Sequence, residues 1–96
     1  MLEQVDTINY RIIKELGIVG QTNYETTELN IITWNNHKPK LDLRKWKLQE
    51  DGTKRVNRGL TLTDEEARNL NKYLTTYISY LDAKQEETTT NTNNTN

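Results

Sequence analysis

The chain has 96 residues, of which 32% are hydrophobic and 28% are charged, and its formal net charge is −1. This length allows one small domain with a limited core, for which dimerisation is an expected source of further stability. The absence of cysteine excludes disulfides and thiolate metal sites, and no apolar run is long enough for a membrane segment, so we expect a cytoplasmic protein.

The first third of the chain predicts two strands. Residues 8–19 are rich in β-branched side chains, and Gly17 marks a bend at which this strand can break. A polar link over 21–27 follows. The run Leu29–Trp34 is rich in strand-forming residues and ends at the turn-prone pair Asn35-Asn36, so it predicts the second strand.

The third predicted strand carries the pattern that says most about function. It begins near Pro39 and continues to Trp46 or Leu48. Because side chains alternate between faces, one face carries Leu41 and Leu43 and can sit on a core. The opposite face carries Lys40, Asp42, Arg44 and Trp46. Cations hold phosphates and an indole stacks on a base, so this face predicts binding of single-stranded nucleic acid.

Two local signals bound the fourth strand. Asp51-Gly52 predicts a hairpin turn into a strand over 54–62, in which Gly59 marks a bulge or a close approach of two backbones. Thr63 and Glu66 form a capping box, and apolar residues with helical spacing follow it. The predicted fold class is α+β, with a four-stranded antiparallel sheet followed by one carboxy-terminal helix.

The domain is predicted to span residues 1–83. Residues 84–96 have no apolar side chain that could offset the entropy of ordering them, so they predict a disordered Thr/Asn-rich tail.

Charge is unevenly distributed along the chain. Residues 1–36 carry a net charge of −3, residues 37–59 carry +5 and residues 60–96 carry −3. A basic segment in an acidic chain would attract phosphate at one place, and the affinity would then fall as salt rises. The alternative is that these cations form an ordinary solvated face.

Several short motifs keep a specific order and spacing. They are Trp34-Asn35, Pro39-Lys40, Asp42-Leu43-Arg44, Trp46 and Arg58-Gly59-Leu60-Thr61-Leu62-Thr63, followed by the acids Asp64, Glu65 and Glu66. With these motifs the chain resembles the YdbC family of bacterial proteins, which is similar in turn to the carboxy-terminal domain of the eukaryotic transcriptional positive cofactor four. The likeness covers about residues 8–81, although the stretch 48–57 is longer and more polar than the family pattern.

The resemblance implies a homodimer whose curved sheets form a groove for single-stranded DNA and whose helices pair across a two-fold axis. The nucleic-acid-binding residues that it implies are Trp34, Lys38, Lys40, Arg44, Trp46 and Arg58. The helix face expected at the dimer interface comprises Leu70, Tyr73, Leu74, Tyr77, Ile78 and Leu81. Work in transcription regulation or DNA handling follows from the same resemblance, while the choice between DNA and RNA stays open.

Alternatives stay open at several of these residues. Trp34 fits core packing as well as ligand contact, Trp46 could simply pack over the sheet, and the helix tyrosines could pack on their own sheet. Which of the hairpin cations Lys54 and Arg55 reach the ligand also stays open.

Nothing in the sequence predicts an enzyme. The single histidine, His37, lies in a turn-like context, and the chain has neither a phosphate-binding glycine loop nor a set of metal ligands. We therefore expect no cofactor, no metal and no small-molecule substrate. The alternative function is a dimeric protein-interaction module that does not bind nucleic acid.

Overall fold

A computed structural model describes residues 9–94 of the chain, with side chains over 9–86. It has four antiparallel strands followed by one helix, which confirms the predicted α+β arrangement. The strands lie side by side in chain order, and the sheet and the helix are two compact units that divide after Asp64. The elements are β1 (Tyr10–Gln21), β2 (Glu25–Trp34), β3 (Lys40–Leu48), β4 (Lys54–Leu62) and α1 (Asp64–Asn94).

The strand boundaries agree with the sequence at β4 and differ most at β2. The predicted link over 21–27 was wrong in its second half, because β2 already begins at Glu25. Thr26 and Glu28 look like linker residues in the sequence, yet both are buried in the sheet and stand opposite residues of β3. At the start of the chain, β1 begins at Tyr10, and the predicted strand residue Ile8 lies outside the described residues.

Two tight turns join the last three strands where the sequence predicts them. Asn35 and Asn36 both adopt positive φ angles, of 50° and 64°, which asparagine tolerates better than most residues. Gly52 has a φ of 89° in the β3–β4 turn. Thr53 donates its backbone N–H to Asp51 Oδ1 over 3.0 Å and its hydroxyl to the same oxygen, and these bonds lower the pKa of the Asp51 carboxyl.

The sheet is strongly curved. The β1–β2 pairing has three register shifts, and the β3–β4 pairing has one between Arg44 and Trp46. Such irregularities bend strands and increase their twist. Trp46 stands opposite Thr26 of β2. Thr26 is eight residues from Trp34 along the same strand, and in a flat strand the two would be about 26 Å apart. Tyr10 nevertheless contacts both indoles, so the face that carries them is concave.

Curvature reverses the burial that the sequence suggests. The alternation of β3 is as predicted, but Asp42 and Trp46 on the polar, concave face are 0% and 2% exposed. Leu41 and Leu43 on the other face, which we call the leucine face, are only half-buried. The expectation of an open polar surface was therefore wrong at Asp42 and Trp46, because the concave side of a coiled sheet closes over its own side chains.

The helix α1 begins directly after Thr63, as the capping box predicts. Its helical backbone continues to Asn94, through most of the segment 84–96, for which the composition predicts disorder; residues 95 and 96 lie outside the described part. The order of that segment in solution stays a prediction. Within the described residues, no helix is both long enough and apolar enough to cross a membrane.

Candidate functional site

A pocket of about 380 Å³ opens on the concave face beside the β2–β3 turn. Trp34 forms part of its wall, and the exposed residues Lys38 and Lys40 border it. The turn places the two lysines there because it brings the chain back antiparallel to β2, so that Lys40 pairs with Ile32. Four of the six predicted nucleic-acid-binding residues meet at this pocket: Trp34, Lys38, Lys40 and Arg44.

Arg44 is held in the wall of the pocket by a network of hydrogen bonds. Its Nε and Nη2 donate to the Asp42 carboxylate over 3.0 and 2.8 Å, and its Nη1 donates to the carbonyl of Asn57 over 3.0 Å. Trp34 Nε1 donates to the same carboxylate over 3.1 Å. The guanidinium also lies 4.6 Å from the centre of the Trp34 ring. Asp42 thus compensates the Arg44 charge and fixes the orientation of the Trp34 indole.

This network gives the surroundings of Trp34, for which the sequence left core packing and ligand contact open. The indole N–H is anchored to a fully buried carboxylate, while the ring remains part of the pocket wall. Trp34 therefore combines a packing role with a position from which a planar group in the pocket could be contacted.

Gly59 allows β4 to approach Arg44 at this point. A Cβ on Gly59 would lie 2.5 Å from Arg44 Cβ and 2.6 Å from both Arg44 Cα and the Leu43 carbonyl oxygen, which is too close for any side chain. Both parts of the sequence prediction at this glycine are confirmed, since a bulge lies next to the close approach. In the bulge, Asn57 and Arg58 oppose the single residue Lys45.

The bulge affects where Arg58 lies. Arg58 lines a second pocket together with Thr27, Leu43 and Lys45, which belong to the leucine face. Two of the predicted nucleic-acid-binding residues, Arg58 and the buried Trp46, therefore do not line the pocket beside Trp34. Lys47 and Arg55 also stand opposite each other in the register of β3 and β4. The basic segment 37–59 is thus shared between two faces and does not form one strip.

A second polar network lies further along the concave face. Glu28, 7% exposed, pairs with Lys54 and accepts the Thr26 hydroxyl over 2.6 Å. Asn30 lies 3.5 Å from its other carboxylate oxygen. Burial acts to raise the pKa of Glu28, but the hydrogen bonds from Lys54, Thr26 and Asn30 outweigh it, so this pKa lies below its ordinary value. Lys54 is thus engaged by an acid of the protein itself.

Trp46 is buried under an aromatic neighbour that sequence reasoning missed. Tyr10 lies with its ring centre 5.2 Å from that of Trp34 and 5.6 Å from that of Trp46. A signal was available, since Tyr10 is an aromatic residue at the start of a predicted strand, but its partner across the sheet depends on a register that three shifts make unpredictable. Trp46 borders the same face as the pocket, yet it is not open to a ligand in this arrangement.

The concave face therefore offers two exposed ammonium groups beside an indole wall, while Arg44 and Lys54 are already paired with carboxylates. This set can hold an anionic group next to a planar ring. Among the side chains of residues 9–86, no group of three or more histidine, aspartate or glutamate residues could hold a metal ion. No protein-family model matches the chain, and a search of curated proteins finds no match.

Proposed function

We propose that the chain binds single-stranded nucleic acid on its concave face, with little sequence preference and as a homodimer. The observation that supports this best is the pocket that Trp34, Lys38 and Lys40 line together. Ammonium groups bind phosphates of any sequence, and an aromatic ring stacks on any base. The resemblance of the motif order to the YdbC family supports the same proposal, and from it we add single-stranded DNA, transcription-linked or DNA-handling work and a cytoplasmic location.

The phosphate contacts fall to particular lysines. Arg44 and Lys54 each form an ion pair with an acid of the chain, so their charges are largely compensated. Lys38 and Lys40 are exposed, and neither has an ion pair or hydrogen bond among the described residues. We therefore assign the salt-dependent part of the affinity to these two residues in place of Arg44.

The test is a fluorescence-anisotropy titration of labelled single-stranded and duplex oligonucleotides at several salt concentrations. Wild type should prefer the single strand, and the double variant Lys38→Ala/Lys40→Ala should bind more weakly. For this variant, the slope of log affinity against log salt concentration should be shallower than that of wild type by about 1.4, because each phosphate contact on a single strand contributes about 0.7.

The matched control is Lys45→Ala/Lys47→Ala, which removes two charges from the opposite side of the same strand. This control should retain both affinity and salt slope. Equal losses in the two double variants would indicate attraction by net charge alone and would contradict a defined site. Trp46→Ala is a poorer probe, because it removes a side chain that is only 2% exposed and would disturb folding.

A dimeric protein-interaction module is the second candidate. The helix residues proposed at a dimer interface support it, since in the single chain Leu70 is half-buried and Tyr73, Leu74, Tyr77, Ile78 and Leu81 are exposed. An apolar stripe of this size is typical of an interface. Absence of oligonucleotide binding even at low salt, together with a stable dimer, would favour this candidate over the first.

A further inference from the structure

Tyr10 occupies a place on the concave face that a ligand ring could take. It is the first residue of β1, pairs with Trp34 in the register and is half-buried. Its ring is tilted by 40° to Trp34 and by 54° to Trp46, so it lies between the two indoles without stacking flat on either. A flat base has two aromatic faces and would gain from parallel stacking at such a place.

The indole N–H of Trp46 is a second, independent observation that points to a ligand at this place. Its indole N–H is fully buried and, among the described residues, has no hydrogen-bond acceptor. A buried donor without an acceptor costs free energy, and such groups are rare in folded proteins. The indole of Trp34, by contrast, is paired with Asp42. An acceptor from outside the chain would satisfy the Trp46 N–H.

We propose that Tyr10 is a built-in occupant of a base-binding subsite between Trp34 and Trp46, and that an incoming single strand displaces it. The displacing base then stacks on the Trp34 ring and presents its edge, with a carbonyl or ring-nitrogen acceptor, to Trp46 Nε1. This inference rests on the proposed function and adds to it a subsite, a donor and a competing residue of the chain itself.

The position of Tyr10 suits a displaceable group. β1 is an edge strand, paired with β2 alone, and its first register shift follows Ile12. The start of the strand is held by Asn35, which donates its N–H to the Asn9 carbonyl over 2.6 Å and accepts the Asn9 N–H over 3.3 Å. The Tyr10 hydroxyl has no hydrogen-bond partner in the described part of the chain. Among the described residues, the Tyr10 side chain thus has ring contacts with the two indoles and no hydrogen bond that would oppose its rotation away from them.

The first test compares oligonucleotide affinity in Tyr10→Ala and Tyr10→Phe. Removing the ring removes the competitor, so Tyr10→Ala should bind single strands about fivefold or more tightly than wild type, given the usual strength of aromatic pairs. Tyr10→Phe keeps the ring and should bind within about twofold of wild type. Circular dichroism and thermal unfolding show whether each variant is folded.

The second test uses the unsubstituted chain and does not depend on the folding of a variant. Labelling with 3-fluorotyrosine gives a ¹⁹F signal for Tyr10, which the Tyr10→Phe spectrum identifies among the five tyrosines. On saturation with a single-stranded oligonucleotide, this signal should move to the position of a solvent-exposed tyrosine.

The outcomes separate the subsite from the function. Oligonucleotide binding with an unmoved Tyr10 signal, or a folded Tyr10→Ala that binds equally or more weakly, would overturn the subsite and leave the proposed function standing. If neither wild type nor variant binds a single strand at low salt, the proposed function fails and the subsite fails with it.

Discussion

Glu28 is the residue whose protonation should be visible in the stability of the fold. It is buried, and its pKa lies below the ordinary value of 4.5 because Lys54, Thr26 and Asn30 stabilise the carboxylate against the effect of burial. A lowered pKa contributes stability that is fully present above the ordinary pKa and is lost as the pH falls through the lower pKa of the folded state. The Glu28 contribution should therefore disappear on the acid side of about pH 4.5.

Lys54→Met tests this at the residue scale. The substitution removes the partner and leaves the burial, so the pKa of Glu28 should rise. At pH 7 the unfolding free energy, measured by urea titration, should fall by about 1–2 kcal/mol. This is less than the cost of breaking a fully buried ion pair, because the Lys54 side chain is 40% exposed. The difference from wild type should shrink toward pH 3. Lys45→Met is the control, since among the described residues the Lys45 ammonium donates to the exposed Thr27 hydroxyl and forms no ion pair. A difference that stays constant from pH 7 to pH 3 would contradict the role of Glu28.

The sequence could predict part of the set of side chains at the pocket, but not what each one contacts. Alternation places Lys40 and Arg44 on one face, and the family resemblance adds Trp34 and Lys38; the structure brings the four together. Arg44 is engaged by the Asp42 carboxylate. As a result, Arg44 forms part of the pocket wall, and Lys38 and Lys40 are the exposed cations. This outcome depends on burial, which the sequence of a single strand does not determine.

At the scale of elements, Gly59 controls how β4 packs beside β3. Gly59→Ala would place a methyl group against the backbone of Arg44 and Leu43, so one strand would have to move. We expect the unfolding free energy to fall by about 1–3 kcal/mol or more. The control is Gly20→Ala in β1, where no atom lies within 4 Å of the new Cβ and the change should be within about 0.5 kcal/mol. Equal stabilities of the two variants in urea would show that the approach at Gly59 is not a constraint.

The elements themselves were largely predictable, and their curvature was not. Local signals are sufficient for β4, for both turns and for the start of α1, because each depends on a few adjacent residues. The beginning of β2 was missed because Thr26 and Glu28 are polar, and their burial requires the concave side to close over them. That closure follows from register shifts between strands, and these are set by pairing across the sheet.

At the scale of the whole molecule, net charge along the sequence is a poor guide to the surface. The segment 37–59 carries a net charge of +5, which suggests one basic strip. In the fold, alternation and the bulge send Lys40 to one face and Lys45 with Arg58 to the other, while two further cations are paired with acids. A ligand on the concave face therefore meets fewer open charges than the sequence count implies.

The exposed apolar stripe of α1 provides the test of the homodimer. Leu74, 45% exposed, lies near the middle of that stripe, and Ser79 lies on the opposite side of the helix. If the helices pair, Leu74→Glu replaces a buried leucine with a desolvated charge in both copies and should weaken association about 100-fold or more. Ser79→Glu adds the same charge outside the contact and should leave association unchanged. Light scattering at micromolar concentration should give twice 11.3 kDa for wild type and for Ser79→Glu, and 11.3 kDa for Leu74→Glu. A monomeric wild type would remove the dimer from both candidate functions, whereas a dimeric Leu74→Glu would move the interface away from this stripe.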